Sequence, residues 1–221
     1  MSSMADPVLP PSPVRGPPVA IAHLDESCLG NGREGATPGG AAGLVEARAG
    51  RALVRRDFFL SEADTTNNRM ALSGAIVALT LMAGKGRRLR ALIVSDSEYL
   101  VRGMREWVPA WVARGWKRKA GPIENLELWQ ELVTAAARHE TTFTWVRGHA
   151  GHPRNEYAND LAVRAARTQA SSAGLVESGF EAWLAAHRAA GRYLDYDEAG
   201  AYEALERRLL AGERLALDAG A

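Results

Sequence analysis

The chain has 221 residues, 47% hydrophobic and 24% charged, the balance of one water-soluble domain carrying extensions. A single cysteine, Cys28, excludes an internal disulfide framework and fits a reducing cytoplasm; no apolar run approaches the ~20 residues that span a bilayer, and the N-terminus lacks the basic and apolar regions of a secretory signal. Net charge is only +1, but residues 171–221 hold nine acids against five arginines, leaving that segment at −4 and the remainder at +5, where a polyanion would lie.

Residues 1–18 contain six prolines among small and polar residues, too little apolar surface to fold, and read as a disordered tail. Val19 to Leu24 is an apolar strand ending in Asp25. After a Gly-rich turn over 30–43, a second strand begins over Gly39 to Val45, and Ala52 to Leu60 completes an antiparallel meander. Asn68 to Met82 has helical spacing (Met70, Leu72, Ile76, Leu79, Leu81), and Gly84 and Gly86 end it. Leu89 to Val94 is continuously apolar, as in a buried central strand. Helices over about 97–113 and 124–138, a strand over 141–147 and a helix over 154–169 follow. Three meandering strands and then α/β crossovers predict the α/β class, a mixed five-stranded sheet flanked by helices. From 170 onward SSAG reads as a linker. Phe180, Trp183, Leu184 and Ala186 suggest one amphipathic helix, and Tyr202, Leu205, Leu209 and Leu210 a second. Their apolar faces must pack on the main domain, on each other or on a partner protein. The chain thus divides into a tail (1–18), a main domain (19–169) and a helical C-terminal extension (170–221).

The segment WVRGHAGHPRNEYANDLA, residues 145–162, places His149 and His152 in a Gly-containing loop between a strand and a helix. A histidine in such a loop, beside a helix carrying acids, suits proton transfer over a metal site; a surface loop rich in His and Gly is the plain alternative. Asp25 ends the first strand and Asp96 the buried one, the edge where open α/β sheets place their ligands. Capping of the next helix is the rival role for Asp96. Residues 102–119 carry six basic side chains (Arg102, Arg105, Arg114, Lys117, Arg118, Lys119) and one acid, Glu106, interleaved with Trp107, Trp111 and Trp116. Lys and Arg so placed suit phosphate contacts. Trp107 and Trp111, four apart, are expected to pack inward beneath them.

Six segments, LDESCLGN (24–31), TTNNRMAL (65–72), VSDSEYLVRGM (94–104), REWVPAWVARGWKRK (105–119), NLELWQEL (125–132) and the histidine loop, together resemble a type I ribonuclease H in that family's own order, over roughly residues 19–168. The resemblance implies the ribonuclease H fold and metal-dependent endonucleolytic hydrolysis of the RNA strand of RNA–DNA hybrids. It further implies 5′-phosphate and 3′-hydroxyl products, Mg²⁺ (or Mn²⁺) as cofactor, and a monomer acting in the cytoplasm. Carried over by position, Asp25 and Asp96 hold metal and His149 moves protons. Asn31, Asn67 and Asn68 meet the hybrid across its minor groove, where amides can both donate to and accept from 2′-OH groups; helix capping is the alternative for Asn67 and Asn68. Arg114, Trp116, Lys117, Arg118 and Lys119 match the family's basic protrusion, which grips the DNA strand.

Two family carboxylates are absent: Ala71 stands at the glutamate position and Asn159 at an aspartate position. Asp160, about 100° round its helix from Asn159, is a metal ligand only if that helix is rotated or shifted. Glu26, where the family has glycine, would compensate, but in a regular strand it points away from Asp25. Two functions follow from this: a ribonuclease H whose site is completed imperfectly by Asn159 or Asp160, or a catalytically inactive hybrid- or duplex-binding module.

Overall fold

The computed structural model describes residues 16–30, 36–148 and 150–212, so most of the expected tail lies outside the described residues. Strands β1 (Val19–Cys28), β2 (Gly39–Ala49) and β3 (Ala52–Glu62) form the antiparallel meander. Helix α1 (Asn67–Met82) crosses to β4 (Arg90–Ser95), parallel to β1. A helical stretch, α2 (Glu98–Arg102) and α3 (Val108–Val112), then α4 (Leu126–Ala136), lead to β5 (Glu140–Trp145), parallel to β4. Helix α5 (Pro153–Thr168), β6 (Val176–Glu177), α6 (Phe180–Ala189) and α7 (Glu198–Leu210) complete the chain. The sheet order is β5-β4-β1-β2-β3-β6. It has six strands rather than the expected five, because two-residue β6 adds to the edge of β3, a length too short for any periodicity to reveal.

Strand alternation sorts the core onto two faces. Ala20, Ala22 and Leu24 pack with α1 and α4 through Leu72, Ala75, Leu79 and Trp129. On the opposite face, Val19 and Ile21 meet Tyr202 and Leu209 of α7, while Ala42 and Leu44 meet α5 and α6 through Tyr157, Leu161, Phe180 and Leu184. The apolar faces of both C-terminal helices are therefore spent on the main domain. Among the described residues, no helix is long and apolar enough to cross a membrane.

The helix expected over 97–113 runs as α2, a π turn over Gly103–Trp107, and α3. Pro109 has no N–H for the regular ladder, and the Val108 N–H reaches one residue further back, to the Gly103 carbonyl. Trp107 and Trp111 do pack inward, with Tyr99 and Trp129, at ring separations of 5.2–6.5 Å. Trp129 is fully buried and its Nε1–H donates to the Tyr99 hydroxyl at 3.1 Å.

Candidate active site

The parallel pairing of β1 with β4 ends at Leu24 opposite Ser95. One step further along each strand stand Asp25 and Asp96, with Glu26 next to Asp25. Ligand oxygens of these three carboxylates all lie within 4.8 Å of one another. The expectation that Glu26 points away is thereby corrected. Alternation does put Asp25 and Glu26 on opposite faces, but β1 is paired there only with β2, the β4 side being open beyond Ser95. Asp96 sits at that open edge, where the longer glutamate reaches it.

Charge and burial are in tension here. Burial, then the neighbouring charges of Asp96 and Glu26, push the Asp25 carboxyl up to about 9. Burial, then Asp96, push Glu26 up to about 8. A hydrogen bond from Ser97 favours the ionised Glu26. Three acids this close hold protons unless a cation compensates them, and hard carboxylate oxygens are the ligands that Mg²⁺ and Mn²⁺ prefer. The donor set thus fits a divalent ion.

Local structure fixes each acid. Asn155, buried in the first turn of α5, donates from Nδ2 to Asp25 Oδ2 at 2.9 Å. The Trp145 indole N–H donates to the Asp96 backbone carbonyl at 2.9 Å. A Cβ at Gly148 would lie 2.3 Å from Asp96 Oδ2, so the carboxylate is seated against a position that admits no side chain. The cap of α2 is Ser97, whose hydroxyl accepts the Leu100 N–H at 3.5 Å, and this removes the capping role from Asp96.

The remaining candidates are distributed as follows. Asp160 lies on α5, which runs as one helix from Pro153 to Thr168, one residue beyond Asn159. Its exposed carboxylate accepts the Trp183 indole N–H at 2.8 Å, outside the acid cluster. Asn159 is half-buried on α5, one turn after Asn155, and Ala71 is buried in the apolar core. Asn155 escaped the sequence reading; its signal was the four-residue spacing to Asn159 within NEYANDLA, which puts both amides on one helix face. Asn31 and His149 lie outside the described residues. Asn67 is exposed and Asn68 half-buried in the first turn of α1. The cap there is Thr66, accepting the Arg69 N–H at 3.3 Å, so capping does not occupy either amide. Arg114, Lys117, Arg118 and Lys119 are exposed, and Trp116 is half-buried against the core with a left-handed φ of 60°. Burial, then the charge of Glu26, push the Cys28 thiol up to about 11, which disfavours a thiolate nucleophile.

The model of the RNase H family matches residues 18–167. A ribonuclease H of Ruegeria sp. (strain TM1040) is 41% identical over 164 residues, 73% of this chain and 99% of that protein. The ribonuclease H of Roseobacter denitrificans is 44% identical over 147 residues, 66% of this chain and 93% of that protein. Among solved structures, LC9-RNase H1, described as a type 1 RNase H with the type 2 active-site motif, is 55% identical with a TM-score of 0.71, covering 76% of this chain and 81% of that one. The foamy viral protease–reverse transcriptase in complex with an RNA/DNA hybrid shares the fold at 17% identity and a TM-score of 0.58, over 75% of this chain and 22% of that one. With a family model covering most of its length and relatives above 40% identity, the chain belongs to the ribonuclease H family.

Proposed function

We propose that the chain hydrolyses the RNA strand of RNA–DNA hybrids with Asp25, Glu26 and Asp96 as its metal-holding acids, Mg²⁺ as the ion and Mn²⁺ as its substitute. The observation that carries this reading is the convergence of three carboxylates at the ends of β1 and β4. Ions bound there supply an activated water and charge stabilisation for the leaving oxygen. The work of the chain is placement. Asn155 orients Asp25, Gly148 leaves room for Asp96, and Glu26 brings from β1 the negative charge that Ala71 does not bring from α1. Three carboxylates and one substrate phosphate balance two divalent cations, whereas Asp25 and Asp96 alone would balance one. The description of LC9-RNase H1 as a type 1 enzyme carrying another type's motif accords with acids redistributed in this way. The inactive-binder reading rested on two missing acids, and Glu26 takes the place of one.

Asn159 offers an amide oxygen on the Asn155 face of α5, and His149 moves protons. Asn31, Asn67 and Asn68 read 2′-OH groups, while Arg114, Lys117, Arg118 and Lys119, with Trp116, hold backbone phosphates. The test is cleavage of a labelled hybrid with Mg²⁺ and then Mn²⁺. Asp25→Asn and Glu26→Gln each lower kcat by about 100-fold or more, and Asp160→Asn changes it by about threefold or less. Cleavage that survives Asp25→Asn overturns the site.

A further inference from the structure

The first turn of α5 carries Asn155, yet it begins without a side-chain cap: His152 precedes it and makes no capping hydrogen bond. An uncapped turn leaves backbone N–H groups unsatisfied and frays. The two residues flanking Asn155 are instead gripped by the segment joining α6 to α7. On one side, Arg154 is buried; it donates to the Tyr196 hydroxyl and, at 2.6 Å, to the Glu198 carbonyl. Its other bonds run to Glu46 at 2.6 and 3.1 Å. On the other side, Glu156 accepts from Arg192 at 2.6 Å and from the Tyr193 hydroxyl, and also takes the Gly151 N–H at 3.1 Å. The family match ends at residue 167, so Arg192, Tyr193, Tyr196 and Glu198 all lie beyond it.

We infer that residues 192–198 act as an external cap on α5 that holds Asn155 against Asp25, with Tyr196 and Arg192 as positioning residues for the reaction. The inference rests on Asp25 being part of the active site. Rigid covering on both sides keeps the Asn155 amide at hydrogen-bond distance and so fixes which way the Asp25 carboxylate presents its second oxygen. Without the cap, the first turn of α5 opens more often, and the acid cluster meets the cation in a less ordered state.

The test uses the full chain with Tyr196→Phe and Arg192→Ala combined, beside a control, Arg48→Gln. Arg48 ties α7 to β2 through Glu203 and Glu206 at 3.2 and 3.1 Å, and touches neither α5 nor the acids. In metal-free protein, the double variant is expected to speed amide exchange over residues 156–159, whose N–H groups begin the helical ladder, by about tenfold, and the control to leave it unchanged. In hybrid cleavage, the Mg²⁺ midpoint of the double variant rises by about fivefold and kcat falls, while KM for the hybrid stays within about twofold. Wild-type exchange and Mg²⁺ dependence in the double variant overturn the cap. So does an equal effect of Arg48→Gln, which would make the extension a general stabiliser. Asp25→Asn, assayed in parallel, separates the two questions: if it cleaves normally, the site reading has failed, whatever the cap does.

Discussion

Like charges crowded at one strand end are relieved either by protons or by a cation. Asp25, raised from 3.8 to about 9, and Glu26, raised from 4.5 to about 8, make the folded, metal-free chain hold protons that the unfolded chain releases. For acids shifted upward, the folded state binds the more protons, so stability falls as pH rises. Their favourable contribution is complete below about pH 4 and lost towards pH 8–9, and a bound divalent ion offsets that loss. Thermal unfolding with and without Mg²⁺ checks this: the upward shift of Tm by Mg²⁺ is larger at about pH 8.5 than at about pH 5.5. A shift independent of pH would show that ion and proton do not compete for these oxygens. Much of this site was legible in the sequence. Asp25 and Asp96 followed from strand ends and motif. Glu26 was visible but misdirected, because alternation describes a strand inside a sheet and not one running past its neighbour. Asp160 looked available only because the Trp183 indole that takes it comes from outside the motif.

Elements were read well wherever an apolar face of ordinary period defined them, as in α1, α4 and α5. The stretch from Glu98 to Val112 was read as one plain helix, although Pro109 was in view, because spacing alone does not say where a displaced hydrogen-bond ladder settles. The π turn has a packing role. A Cβ on Gly103 would lie 2.0 Å from the Trp129 ring, which is fully buried at the centre of the aromatic cluster. Gly103→Ala ordinarily gains about 1 kcal/mol of helix propensity. Here it is expected to destabilise by about 2 kcal/mol net, through overpacking. Urea unfolding measures it, and a variant as stable as the parent would mean that Trp129 moves aside freely. The C-terminal helices were legible as amphipathic segments but their docking was not, since an apolar stripe does not name the surface it covers.

Across the whole molecule, the unusual feature is a carboxylate with no exposure at all. Glu46, in β2, is met by Arg154, by Arg55 at 3.0 Å and by His23, whose Nε2 lies 3.4 Å away without an aligned hydrogen bond. Burial by itself would raise the Glu46 carboxyl, but His23 and Arg154 beside it bring it down to about 2. Burial also lowers the His23 imidazole, and the guanidinium groups of Arg154 and Arg55 carry the permanent positive charge beside Glu46. Glu46→Gln therefore leaves the buried Arg154 without its carboxylate partner, while Arg55 keeps Glu181 and Glu198, and is expected to cost roughly 3 kcal/mol in denaturant unfolding; a loss below about 1 kcal/mol would show that water reaches the pair. The same contact orders events during synthesis. Glu46 and Arg154 are 108 residues apart, and Arg55, on the neighbouring strand, reaches Glu181 across 126. While the early meander emerges from the ribosome, Glu46 of its middle strand has Arg55 and His23 beside it, but Arg154 has not yet been translated. That side of Glu46 therefore stays open to water until α5 arrives, and the buried ion gains its full set of partners only in the last third of the chain.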